Sequence, residues 1–184
     1  MHADELWQEY DYDGSRLGSI SPKNRDNPNI RLFGGAAVML YRYHNGEIEV
    51  LFQHRSKFVD RNADKWDVSA GGHVNFNEPQ MDAAIRETEE EIGIRMDKKK
   101  LEFAASYVQR NHMLVHLYFY DYTGEKDDFH FDDREVSEVK WVPFSKLVDF
   151  WPNLKPQAQN DAVFQTLLLD CIRFAQEKYG NSHD

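Results

Sequence analysis

The chain has 184 residues, 41% of them hydrophobic and 14% aromatic, enough apolar surface for one domain to bury a core and too much for a disordered chain. Its 22 Lys and Arg face 32 Asp and Glu, a net charge of −10, which excludes a general nucleic-acid coat or a binder of anionic membranes. Cys171 is the one cysteine, so an internal disulfide and a thiolate zinc cluster are excluded too. No apolar run approaches the roughly 18 residues of a membrane span, and the first residues, MHADELW, lack the basic start and apolar stretch of a secretory signal, so a cytoplasmic location is expected.

In chain order, residues 1–29 read as a lead-in, with Asp13-Gly14 turning a short hairpin and Ser21-Pro22 and Asn27-Pro28 marking an irregular connection. Residues 30–43 and 48–54 are strand-like around the turn signal Asn45-Gly46, which predicts an antiparallel pair. Residues 66–70 give one more short strand ending at Gly71-Gly72. A helix is predicted from Pro79 to Ile92, stopped by Gly93. Strands follow at 101–108, 113–122 and 139–142. A closing helix spans 156–180, with Val163, Phe164, Leu167, Leu168, Cys171, Ile172 and Ala175 at helical spacing. Strands that precede, interleave with and follow two main helices predict a single α/β (α+β) domain, a mixed sheet between helices, with its core at 30–150.

Chemistry concentrates between Gly72 and Ile94, GHVNFNEPQMDAAIRETEEEIGI. At about 100° per residue, Glu87, Glu90 and Glu91 share one helical arc while Met81, Ile85, Thr88 and Ile92 form another. Like charges at these spacings repel unless a cation sits among them. Oxygen-only ligation suits Mg²⁺ or Mn²⁺ and not zinc, and Arg86, four residues before Glu90, can brace that ligand. For an arbitrary Glu-rich helix a solvated acidic face would be the default.

The spacing overturns that default. Gly72, Glu78, Arg86, Glu87, Glu90, Glu91, Gly93 and Ile94 match the pattern Gly-x5-Glu-x7-Arg-Glu-U-x-Glu-Glu-x-Gly-U, with U aliphatic, so the segment resembles the Nudix box. At residue frequencies of about 5 to 10%, the seven fixed positions coincide by chance on the order of once in 10⁸ starts. Thr88 departs from the first aliphatic position, and its hydroxyl is expected to bond back to the preceding turn. Strands ahead of the box and the segment EVSEVKWV at 135–142 extend the likeness over roughly residues 30–150.

The resemblance implies a Nudix α/β/α sandwich and a metal-dependent hydrolase that cleaves a diphosphate linkage in a nucleoside diphosphate joined to another moiety. It implies Glu90 and Glu91 as main ligands of Mg²⁺ or Mn²⁺, with Glu87 a further ligand or the base. A carbonyl of Gly71 or Gly72 would add an oxygen, and Glu78 with Arg86 would orient loop and helix around Gly72 and Gly93. A carboxylate from a later loop often assists such sites; Glu135 is the first candidate and Glu138 the second. Arg55 and Lys57 are candidates for substrate phosphates, and His73 is either a hydrogen-bonding residue near the site or structural.

Two alternatives carry other functions. Residues 66–74, WDVSAGGHV, resemble the isopentenyl-diphosphate-isomerase-like branch, whose proton transfer needs an active-site cysteine; here the thiol stands only at Cys171, on an apolar late helix. A non-catalytic nucleotide-sensing module of the same fold typically loses box carboxylates, and this chain keeps them. The expected partner is a small-molecule diphosphate, without general nucleic-acid or membrane binding, and the expected assembly is a homodimer, the commonest oligomer.

Overall fold

One long strand, β3 (Leu32–His44), organises the chain. In the computed structural model, which describes residues 5–27, 29–131 and 134–180, β3 is buried over its first ten residues, LFGGAAVMLY. A strand buried on both faces must be continuously apolar, and this run is. Along one edge β3 pairs in turn with β1 (Trp7–Tyr10), β6 (Ala70–His73) and β4 (Glu47–Arg55), all antiparallel. Along the other it runs parallel to β8 (Met113–Asp121), from Phe33 opposite Met113 to Tyr41 opposite Asp121.

The remaining strands extend this centre. β2 (Arg16–Ile20) pairs with β1, the hairpin expected around Asp13-Gly14. β5 (Trp66–Asp67) and β9 (Val136–Pro143) pair with β4, and β7 (Leu101–Val108) with β8. Asn45 and Gly46 both take positive φ, 50° and 86°, the requirement of a two-residue type I′ hairpin turn.

Side-chain alternation divides β3 between two layers. Ala36, Val38 and Leu40 face helix α1 (Gln80–Ile92) with Leu51, Ala70, Tyr118 and Val136. Ala37, Met39 and Tyr41 face the other way, toward α4 (Ala162–Gly180), with Phe52, Leu117, Phe150 and Leu168. The arrangement is the mixed sheet between helices expected from sequence.

Three expectations are corrected. The short strand of 66–70 is two strands, because the side chain of Asp67 accepts the Val68 N–H (2.8 Å) and Ser69 turns inward, its Oγ donating to the Leu51 carbonyl and accepting the Leu40 N–H. The closing helix is likewise split. After the short α2 (Leu147–Phe150), a turn α3 (Pro156–Gln159) stops at Asn160, and α4 starts afresh where Asp161 Oδ1 accepts the N–H groups of Val163 and Phe164, an N-cap. Val163, in that first turn, is exposed and not part of the apolar stripe.

Candidate active site

Helix α1 starts after Pro79, whose extended backbone precedes the first turn, and ends at Gly93 with φ 75°, the left-handed C-terminal residue that glycine supplies most easily. A side chain at Gly93 would also strike the His130 backbone, so the loop after β8 packs directly against this helix end. Thr88, fully buried, donates to the Ala84 carbonyl at 2.8 Å, the bond back to the preceding turn expected for the departure from the box pattern.

Arg86 is the hub. Its Nε and Nη2 donate to the two oxygens of Glu78 (2.9 and 3.0 Å), its Nη1 to Glu87 (2.9 Å) and Glu90 (3.0 Å), and its Nη2 also to the His73 carbonyl (2.8 Å). Those bonds use every N–H of a guanidinium, and the fork on Glu78 is the bidentate geometry that lysine cannot reproduce. Burial works against the charge of Arg86, but Glu78 and Glu87 outweigh it and hold the group firmly protonated. Glu78 in turn accepts the Asn75 N–H at 2.9 Å, so a single carboxylate ties the loop before the helix to the helix itself.

The three carboxylates on one helical arc meet three different environments. Glu90 is more than half exposed, Glu87 is largely covered, and Glu91 is buried. Glu91 Oε2 accepts the Gly71 N–H (2.8 Å) and the Gln53 Nε2 amide (3.0 Å). Burial, then the charge of Glu87, pushes the Glu91 carboxyl up to about 8, against the lowering effect of those two bonds. Burial likewise raises Glu87 to about 7, with Arg86 opposing it. A Cβ on Gly72 would collide with the Glu87 carboxyl, so the glycine makes the cradle in which that carboxylate lies beside the backbone.

Among the described residues no three ligand side chains already converge on a point. Glu87 and Glu90 rest on Arg86, and Glu91 faces inward. The chemistry of the set nonetheless fits a hard divalent cation: the donors are all oxygen, Glu87 and Glu91 repel each other in a covered site, and the Gly72 cradle gives a backbone carbonyl close access. A groove of about 330 Å³ on the outer side of the helix, lined by Asp82, Ile85, Arg86, Glu89 and Glu90, opens beside them.

The other candidates lie around this centre. Arg55 stands two residues beyond Gln53 on β4; its Nη1 is 3.9 Å from Asp67, which also takes Lys155 Nζ at 2.6 Å. Lys57 is exposed, with its ammonium over the Phe58 ring. Glu135 is exposed, and its carbonyl accepts the Ser56 N–H at 2.8 Å, which fastens the loop before β9 to the end of β4. Glu138 pairs with His54, one position from the Gln53–Val139 pair whose side chains face α1, so it belongs to the opposite side of the sheet. The ring of His73 is stacked on Trp7 with centroids 3.6 Å apart, and burial lowers it to about 4, so it is neutral at neutral pH.

Sequence reasoning missed Gln53 and Trp7. Gln53 had a faint signal, a polar residue directly after the apolar Val50-Leu51-Phe52 and in phase with buried Leu51. Cys171 is wholly buried in the α4 layer, across the sheet from the box, so among the described residues no thiol stands near the carboxylates for isomerase chemistry. No helix among the described residues is long and apolar enough to cross a membrane.

Comparisons with known proteins agree with this geometry. Nudix hydrolase 3 of Arabidopsis thaliana is 26% identical over 151 residues; that alignment takes in 74% of this chain, which spans only 19% of the longer relative. The fold is shared with the DR0079 protein of Deinococcus radiodurans (TM-score 0.67, 16% identity, 90% of this chain and 98% of that one). It is shared also with an Ap4A hydrolase of C. elegans, solved as a binary complex (TM-score 0.57, 23% identity, 78% and 98%). The NUDIX domain model matches residues 33–166, well over half of the sequence and all of the box, and the chain belongs to the Nudix family.

Proposed function

We propose that the chain is a hydrolase of phosphoanhydride bonds in nucleoside diphosphates linked to a second moiety, acting with Mg²⁺ or Mn²⁺. The observation that carries this reading is the Arg86 hub, which spends its whole guanidinium on holding Glu78, Glu87, Glu90 and the His73 carbonyl in place beside Glu91. A surface salt-bridge network would have no need of the covered Glu91, nor of a glycine that makes room for Glu87. The Ap4A hydrolase likeness supports a nucleoside-containing polyphosphate as the substrate class.

On this reading Glu90 and Glu91 would hold the ion together with a carbonyl of Gly71 or Gly72, with Glu87 either a further ligand or the base. When bound, the ion neutralises phosphate oxygens and lowers the pKa of a coordinated water. Gln53 and the Gly71 N–H fix one oxygen of Glu91, and the other is the one that would bind. Glu78 and Arg86 keep loop and helix in register, Glu87 or Glu135 takes the proton of the attacking water, and Arg55 is the first candidate to meet the substrate's phosphates.

The test is release of phosphorylated products from dinucleoside polyphosphates, nucleoside diphosphate sugars, ADP-ribose, NADH, nucleoside triphosphates and isopentenyl diphosphate, with and without Mg²⁺ or Mn²⁺. Metal-dependent cleavage that is lost in Glu91→Gln is expected. Conversion of isopentenyl diphosphate to its allylic isomer without hydrolysis, or binding without turnover of any member, overturns the proposal.

A further inference from the structure

The N-terminal hairpin lies ahead of the family match, which begins at residue 33, yet it is bonded chiefly to the box loop. Gln8 N–H donates to the Val74 carbonyl (2.8 Å) and Phe76 N–H to the Leu6 carbonyl (2.8 Å). Asn77, held at a positive φ of 65°, donates its N–H to Gln8 Oε1 (3.1 Å). Arg16 Nη2 donates to the Glu78 carbonyl (2.7 Å) and Gln80 Nε2 to the Tyr10 hydroxyl (2.9 Å). Bonds from the hairpin thus reach along the loop from Val74 into the first residue of α1.

Trp7 is the centre of that embrace. It is fully buried, and its indole lies flat on the His73 ring, 3.6 Å between centroids and 4° from parallel. Its Nε1 is buried without a hydrogen-bond partner among the described residues. Such an orphan is unfavourable, so the aromatic face, and not the N–H, is what this position uses. The backbone beneath that stacked ring is the one whose carbonyl accepts Arg86. The connection is therefore short: Trp7 fixes the His73 ring, the His73 carbonyl fixes Arg86, and Arg86 fixes Glu87 and Glu90.

We infer that Trp7 is a positioning residue for the box, through which the hairpin ahead of the matched domain sets the geometry of the carboxylates. The consequence for activity rests on the hydrolase reading above; the mechanical link from hairpin to loop does not. Trp7→Ala removes the stack, Trp7→Phe keeps an aromatic face, His73→Ala removes the other ring, and Leu168→Ala loosens the molecule from the far side of the sheet as a control.

Three readouts separate the possibilities. Amide exchange of Phe76 and Asn77 is expected to quicken by about tenfold or more in Trp7→Ala relative to the α4 amides. Mn²⁺ affinity measured by calorimetry is expected to fall about tenfold, the scale of losing a partner that orients a ligand, and kcat to fall with KM near the parent value. Trp7→Phe should recover most of each, and Trp7→Ala with His73→Ala should be non-additive. Unchanged loop exchange and Mn²⁺ affinity in a folded Trp7→Ala, or equal losses in Leu168→Ala, overturn the inference. If Trp7→Ala does not fold, His73→Ala with the same readouts decides. A parent protein that binds no Mn²⁺ overturns the metal reading, and the exchange measurement then decides the hairpin's role independently.

Discussion

The two faces of the sheet solve opposite problems with alternate residues of the same strands. Toward α4 the layer is closed by Met39, Tyr41, Phe52, Leu117, Leu168 and Ile172, each almost completely buried, and its stability comes from apolar area withdrawn from water. Toward α1 the packing is shared with carboxylates: Thr88 and Glu91 lie among the buried residues of the helix beside Ala83, Ala84 and Ile92. A buried Glu is unfavourable unless hydrogen-bonded, and Gln53 and Gly71 supply those bonds. Both faces bury apolar side chains, and the α1 face adds the box carboxylates, so loss of packing toward α4 and loss of a carboxylate toward α1 should be separable.

Five substitutions probe that separation. The largest effect is expected from Glu91→Gln, which keeps volume and both donors nearby but can no longer ionise to take a cation: turnover should fall on the order of 10³-fold with little change in thermal midpoint. Parent-like turnover would break the comparison at its centre. Leu168→Ala should do the reverse, with a loss of about 2–5 kcal/mol in chemical denaturation and an unchanged kcat per folded molecule. Gln53→Leu removes the donor to Glu91 while roughly conserving volume, and should lower Mn²⁺ affinity and turnover by about tenfold; parent-like values would show that Gly71 alone orients Glu91. The smallest effect is expected for the later carboxylates, where Glu135→Gln should slow turnover more than Glu138→Gln, as Glu138 belongs to the α4 side of β9. The opposite order would move the base to Glu138.

What the sequence made legible was local. The box spacing, the Asn45-Gly46 turn and the Gly93 stop each depend on a few adjacent residues, and each is where expected. The back-bonded Thr88 followed from its own side chain. What was not legible depends on contacts between distant parts of the chain. Gln53 reaches Glu91 across 38 residues and Arg16 reaches Glu78 across 62, and no periodicity reports such pairings. Helical-wheel geometry placed Glu91 on an acidic face but could not say that the sheet would close over it. The break between α3 and α4 is a different kind of miss, since Asp161 is an ordinary capping residue that the apolar spacing around it obscured.

The parallel pairing of β3 with β8 has a consequence for how the molecule is assembled. Parallel neighbours cannot be joined by a tight turn; here the connection runs from the end of β3 at His44 to the start of β8 at Met113 and contains the entire box. The segment proposed to carry the chemistry is therefore also the covalent crossover of the sheet's central pair. Contacts this distant in sequence form slowly because a long loop must close first. Folding of the central sheet thus waits on the same stretch of chain that is proposed to perform the reaction, so on that proposal a lesion there acts on two clocks, the rate of turnover and the rate at which active molecules are born.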